Sequence, residues 1–215
     1  MLSKQMKENH ITICKTARYY TQGVLNEKTK QVWGVLHGFG QSAKAFLSGF
    51  EPLFDDASFF IAPEALNRFY MNGHNGAVGV TWMTKEERLN EIKDYVCYLD
   101  QLYEHLELNK FHGIITALGF SQGASTLSRW INAANSRVET AIIYGGEVGP
   151  ELLPLNEKSG LKKTKNIFIY GTSDKYFPPD VVSKMRVAYK ELNCTEIQFE
   201  GGHEIKTEIL QRFKL

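Results

Sequence analysis

The sequence predicts an α/β protein: a mostly parallel, twisted sheet with helices on both faces, entered through an antiparallel hairpin at the N-terminal end. Two observations carry this. From residue 114 onward, short apolar runs alternate with helix-length amphipathic segments, the pattern of parallel strands buried under crossover helices. The chain also has 215 residues, 43% hydrophobic and 23% charged, with no Pro/Ser-rich linker or break in composition. One domain over residues 1–215, built on one core, is therefore expected.

Ile11 to Tyr20 alternates roughly between apolar and polar residues. Gln22-Gly23, a charged turn and then Gln31 to His37 follow, which reads as a hairpin leading into a central strand. Ala43 to Phe50 is long enough for a short helix, and Ala57 to Ala62, closed by Pro63, suits a buried strand. Thr84 with Glu87 three positions later forms a capping-box pattern. Leu89, Ile92, Val96, Leu99, Leu102, Tyr103 and Leu106 then recur at helical spacing, so a helix is expected to end near Leu108-Asn109, with His105 on its solvated side. Beyond it, strands are expected over 114–120, 138–144, 166–170 and 195–199. The intervening helices are expected over 123–134, 179–192 and 204–213.

Charge and cysteine content exclude several classes of function. Lys+Arg (25) and Asp+Glu (24) nearly cancel, leaving a net charge of +1, so no broad positive field is available to nucleic acid or an anionic membrane. The short run Lys162, Lys163 and Lys165 reads as a solvated loop before a strand. Cys14, Cys97 and Cys194 are odd in number and widely spaced, which argues against a disulfide framework or a zinc site. Met1 to Asn9 is polar, unlike a signal peptide, and no run of about 18 apolar residues could span a bilayer. A cytoplasmic protein without stable membrane insertion is expected.

In open parallel sheets, chemistry gathers at the loops leaving the carboxyl ends of the strands. One of these, Gly119-Phe120-Ser121-Gln122-Gly123, fits G-x-S-x-G between an apolar strand and a helix. A turn that sharp strains the central residue, and bulk two positions to either side would block it. The strain lifts the hydroxyl off the sheet above a helix N-terminus, where developing negative charge is favoured. A serine hydroxyl needs a base and an orienting acid. His203, in Gly201-Gly202-His203-Glu204 after the last strand, is the candidate base. Asp174, after the strand before it, is the candidate acid, with Glu147 as the rival carboxylate. The chain order Ser121, Asp174, His203 is that of an α/β hydrolase. Two oxyanion donors are expected, the backbone N–H of Gln122 and that of Phe39 in Leu36-His37-Gly38-Phe39-Gly40. His37 is expected to hold this loop by hydrogen bonding, a direct catalytic role being the alternative. His74 has no second ligand near it in sequence, so no metal site is expected.

These landmarks, with Ala62-Pro63, Trp82, Gly171-Thr172-Ser173-Asp174 and Gly202-His203, resemble the phospholipase/carboxylesterase branch of the α/β hydrolases, which includes the acyl-protein thioesterases. They span residues 35 to 203 in the expected order. The resemblance implies an α/β-hydrolase fold, a Ser-Asp-His triad and an oxyanion hole at Phe39 and Gln122. It also implies hydrolysis of small-molecule carboxylic esters or thioesters, with no cofactor. Lactone or peptide cleavage on the same triad is an alternative, and a non-catalytic binding protein a remote one. Gln41 stands where the thioesterases commonly carry an acidic residue, and Ala124 replaces a second glycine. The segment from Asn67 to Thr84 also departs from the thioesterase pattern. It holds Phe69, Tyr70, Met71 and Trp82 as candidate substrate contacts, and reads either as an aromatic wall or lid over the site or as a long loop pinned to the core.

Overall fold

The computed structural model describes residues 6–133 and 136–215. In chain order its elements are β1 (Tyr19–Gln22), β2 (Gln31–Leu36), α1 (Ala43–Ser48), β3 (Ser58–Pro63), β4 (Asn67–Tyr70), β5 (Val78–Thr81) and α2 (Arg88–His105). Then follow β6 (Ile114–Phe120), α3 (Gln122–Ala133), β7 (Thr140–Tyr144), β8 (Lys165–Gly171), α4 (Pro179–Ala188), β9 (Thr195–Phe199) and α5 (Thr207–Leu210). Seven strands form one sheet in the order β1-β3-β2-β6-β7-β8-β9, and β4 and β5 form a separate antiparallel pair. All pairings in the large sheet are parallel except β1 with β3.

The apolar runs of β2, β3, β6, β7 and β8 become strands buried on both faces, while the edge strands β1 and β9 are largely exposed. Successive residues alternate between two cores. Val32 and Leu36 of β2, Phe59 and Ile61 of β3, Ile115 and Ala117 of β6 and Phe168 of β8 pack with α2, α3 and α4. Trp33, Val35, Phe60, Leu118, Phe120, Ile142 and Ile169 pack on the opposite face with Phe46 and Leu47 of α1 and Leu210 of α5. This is the expected architecture, with four differences in detail.

The antiparallel N-terminal strand is shorter than the Ile11–Tyr20 alternation suggested. It pairs with β3, because β3 and β6 already occupy the two edges of β2. The expected capping box at Thr84 does not form. The Thr84 N–H and hydroxyl turn to Glu91, Glu87 adopts a left-handed backbone (φ 48°), and α2 starts only at Arg88. Leu89, expected in the core, is therefore exposed, and Tyr95 is buried instead. The final helix is cut to Thr207–Leu210 with a 3₁₀ turn after it, since the Tyr144 hydroxyl holds the Lys206 N–H at 2.8 Å. The 67–84 segment, expected to be an aromatic wall or lid or a long pinned loop, contains a hairpin of β4 and β5, with Arg68 opposite Val80 and Tyr70 opposite Val78.

Helix α3 is fastened at its back by a buried cation. The Arg129 guanidinium bonds Glu151 and, at 3.2 Å, the Tyr95 hydroxyl, and Arg88 reaches the same Glu151 carboxylate at 2.8 Å. Burial alone would raise the Glu151 carboxyl. The hydrogen bonds from Arg129 and Arg88 outweigh burial and lower it from 4.5 to about 2. A depressed folded-state value stabilises the fold above the unfolded value, and that contribution is lost as pH falls toward the folded one. Thermal midpoints measured from pH 5 down to 2 should therefore fall more steeply for the wild type than for Glu151→Gln. Parallel curves would remove Glu151 from the acid sensitivity.

Candidate active site

Parallel register assembles the site. Leu36 of β2 lies opposite Gly119 of β6, Phe120 opposite Tyr144 of β7, Tyr144 opposite Ile169 of β8, and Gly171 opposite Phe199 of β9. Four loops thus leave the sheet at one edge, carrying His37–Gln41, Ser121, Asp174 and His203.

Ser121 has φ 53°, a left-handed conformation that a non-glycine residue adopts at a cost of roughly 1–2 kcal/mol. The turn is clamped by Ser121 N–H to the Tyr144 carbonyl (2.9 Å) and by Ala124 N–H to the Ser121 carbonyl (3.0 Å). A Cβ at position 123 would overlap the carbonyls of Leu36 and His37, and one at position 119 would overlap Gly123 itself. The glycines of the motif are therefore required by close approach of backbone to backbone.

The loop carrying Asp174 and the loop carrying His203 are bonded to each other. Thr172 N–H donates to the Phe199 carbonyl (2.9 Å) and Ser173 N–H to the Gly201 carbonyl (2.8 Å). His203 Nδ1 lies 2.7 Å from Asp174 Oδ2, and its Nε2 lies 3.0 Å from Ser121 Oγ. The Asp174 carboxylate is buried, and its Oδ1 accepts the Tyr176 N–H at 2.9 Å. With a carboxylate at Nδ1, the imidazole keeps its proton there and leaves Nε2 free to accept the serine proton. Its ring lies against Phe120 (4.8 Å between centroids) and the edge of Tyr176 (4.7 Å). Glu147 is exposed, and its backbone carbonyl accepts from Ser125 Oγ. The carboxylate beside His203 is that of Asp174.

His37 is fully buried. Its Nδ1 bonds the Gly38 carbonyl (2.8 Å), and its Nε2 accepts the Ala65 N–H (3.1 Å). Burial pushes its imidazole below the usual value, so it stays neutral with both nitrogens occupied. It holds the loop, as expected. Gln41 Oε1 accepts the Gly38 N–H at 2.8 Å, and Gly40 N–H donates to the Val80 carbonyl at 2.8 Å. The N–H groups of Phe39 and Gln122 have no acceptor among the described residues.

The proposed substrate contacts divide. Phe39 is 58% exposed and stacks on Phe69 at 5.1 Å. Tyr70 is exposed, and Met71, 48% exposed, has its thioether against Gly40. Trp82 corrects the expectation. It is 1% exposed, its indole N–H donates to the His37 carbonyl (2.9 Å), and its ring stacks on His37. That leaves no surface for a substrate to touch, so its place is under the glycine loop. A cleft of about 600 Å³ opens beside His203, lined by Gly40, Gln41, Phe46, Val78 and Phe120 among others. Tyr176 and Val78, exposed at this edge, were missed in the sequence: Tyr176 sits two residues past the acid with nothing to mark it as more than a turn residue.

A strained serine at the end of a central parallel strand, bonded through a histidine to a buried aspartate, is the arrangement of a serine hydrolase on the α/β-hydrolase fold. Residues 27–210 match the family model described as Serine hydrolase (FSH1), and the chain belongs to that family. Sequence comparison with curated proteins finds no match. Among solved structures, esterase PE8 superposes with a TM-score of 0.65 at 20% identity, covering 93% of this chain and 96% of that one. The Zea mays acyl-protein thioesterase 2 gives 0.66 at 15%, covering 92% and 96%. A phospholipase/carboxylesterase from Dyadobacter fermentans gives 0.64 at 18%, covering 94% and 96%. These neighbours have the α/β-hydrolase fold, and they include the branch that the motifs resemble.

Gly123→Ala should cost roughly 1–3 kcal/mol, the usual range for overpacking, because a Cβ there meets fixed carbonyls and no movable side chain. Urea denaturation reads this directly; a midpoint equal to wild type would contradict the close approach.

Proposed function

We propose that the protein hydrolyses carboxylic esters through an acyl-enzyme, with Ser121 as nucleophile, His203 as base and Asp174 as the orienting acid. The observation that carries this reading is the unbroken chain Asp174 Oδ2, His203 Nδ1, His203 Nε2, Ser121 Oγ, at 2.7 and 3.0 Å. His203 removes the hydroxyl proton as Ser121 attacks the carbonyl carbon, and Asp174 stabilises the resulting imidazolium. The N–H groups of Phe39 and Gln122 receive the oxyanion. His203 then protonates the leaving alkoxide. Water, deprotonated by the same imidazole, attacks the acyl carbon and releases the acid.

Phe39, Phe69, Tyr70 and Met71 form the apolar wall for the acyl or aryl part of the substrate, with Val78 and Tyr176 completing its rim. Among the described residues, Glu204 is the sole carboxylate lining the cleft, and Lys206 pairs with it at 3.0 Å. No lysine or arginine is among the described residues that line the cleft, which favours neutral esters. Thioesters present the same carbonyl to the same hydroxyl. A panel of esters and thioesters of graded chain length separates the two leaving groups.

A fluorophosphonate probe should label Ser121, and Ser121→Ala should abolish both labelling and turnover of an aryl ester while leaving the circular dichroism spectrum unchanged. Asp174→Asn should lower kcat about 10⁴-fold, the cost of the wrong imidazole tautomer. Full hydrolysis by a folded Ser121→Ala protein would rule out the mechanism; greater damage from Glu147→Gln than from Asp174→Asn would rule out the acid.

A further inference from the structure

The residue after Ser121 carries a long amide side chain whose polar atoms are all engaged by one segment of chain. Gln122 Oε1 accepts the Trp82 N–H at 3.0 Å. Its Nε2 donates to the Met83 carbonyl at 2.8 Å and to Thr81 Oγ1 at 3.0 Å. The Thr81 hydroxyl passes its own proton to the Met83 carbonyl at 2.8 Å, which closes the network. Thr81 and Trp82 are buried and Gln122 and Met83 half-buried, so these bonds are shielded in part from competing water, and losing one leaves the buried Thr81 hydroxyl or Trp82 N–H short of a partner.

The same segment holds the opposite side of the site. The Val80 carbonyl accepts the Gly40 N–H, one residue beyond Phe39, and the Trp82 indole bonds the His37 carbonyl, two residues before it. The sheet itself cannot set the distance between the Phe39 and Gln122 N–H groups. Pairing of β2 with β6 ends at Leu36 opposite Gly119, three residues short of either donor. Beyond that last pair, residues 80–83 are bonded to both loops.

We propose that the Gln122 side chain is a positioning residue: bonded to Thr81, Trp82 and Met83, it fixes the spacing between the two N–H groups that receive the oxyanion. This rests on the reading above that Phe39 and Gln122 are those donors. Donors of this kind act in the transition state far more than in the ground state, so their displacement lowers kcat and leaves KM nearly unchanged. A shift of about 1 Å in catalytic geometry costs on the order of 100-fold.

Gln122→Met keeps the length and helix propensity of the side chain and removes its amide. Thr81→Val keeps the strand shape without the hydroxyl, and Thr81→Ser restores the hydroxyl. With an aryl ester, Gln122→Met should lower kcat about 10- to 100-fold with KM within about twofold. Affinity for a trifluoromethyl ketone should weaken in step with kcat/KM. Thr81→Val should move the same quantities less far in the same direction, and Thr81→Ser should match the wild type. A folded Gln122→Met enzyme with wild-type kcat, or one changed in KM alone, overturns the proposal. Should that variant fail to fold, Thr81→Val decides by the same readings, since it leaves the serine turn untouched. If wild-type hydrolysis does not depend on Ser121, the underlying mechanism fails as well. If it does depend on Ser121 and Gln122→Met matches it, only the positioning role fails.

Discussion

The site depends on how closely the first turn of α3 approaches the end of β2. Only a glycine at 123 lets the helix backbone sit on the carbonyls of Leu36 and His37, and the rest follows from that contact. The turn before the helix must be sharp, so Ser121 is driven to a positive φ and its hydroxyl projects off the sheet edge. The loop after β2 must pass beside it, so that a Cβ at position 38 would lie only 3.2 Å from the Ser121 Cβ. The strain is local and is offset by backbone bonds to β7 and by the fixing of α3 through Arg129. A looser helix would relax the serine and separate it from the glycine loop in one movement.

Two histidines lie near this contact, and their surroundings assign them different work. His37 is fully buried with both ring nitrogens bonded, and burial lowers its tendency to take up a proton. It serves as a neutral strut between Gly38 and Ala65. His203 has a carboxylate on one side and a hydroxyl on the other, with aromatic rings limiting its rotation. The difference is one of partners: a carbonyl and an amide N–H hold a proton in place, whereas a carboxylate and a serine permit it to move.

The strands in the middle of the sheet could be read from the sequence almost to the residue, 114–120 to its ends and 166–170 within one residue at each, because burial on both faces leaves no ambiguity of period. The positions of Ser121, Asp174 and His203 could be read for a related reason: each lies within a few residues of the carboxyl end of a parallel strand. Edges and caps were harder. Thr84 and Glu87 have the spacing of a capping box, but Glu91 and Asn90 compete for the same groups, and competition of that kind has no linear signature. The β4–β5 hairpin was hidden by its brevity and its glycines, although Asn67–Tyr70 and Val78–Thr81 are strand-like once paired. Trp82 reads as a substrate contact in the sequence because an aromatic in a loop looks available. Its burial follows from the hairpin, which the sequence does not announce. The amide contacts of Gln122 depend on the same hidden element.

The hairpin has two ends with different obligations. Its base, from Val80 to Met83, is bonded to the glycine loop and to the start of α3. Its tip, closed by Met71 N–H on the Ala77 carbonyl, stands at the surface with exposed side chains. On the proposed mechanism, geometry and selectivity fall to separate stretches of one short hairpin. On that reading, a longer, shorter or differently coloured tip would change which substrates fit while leaving the bonds at the base of the hairpin as they are.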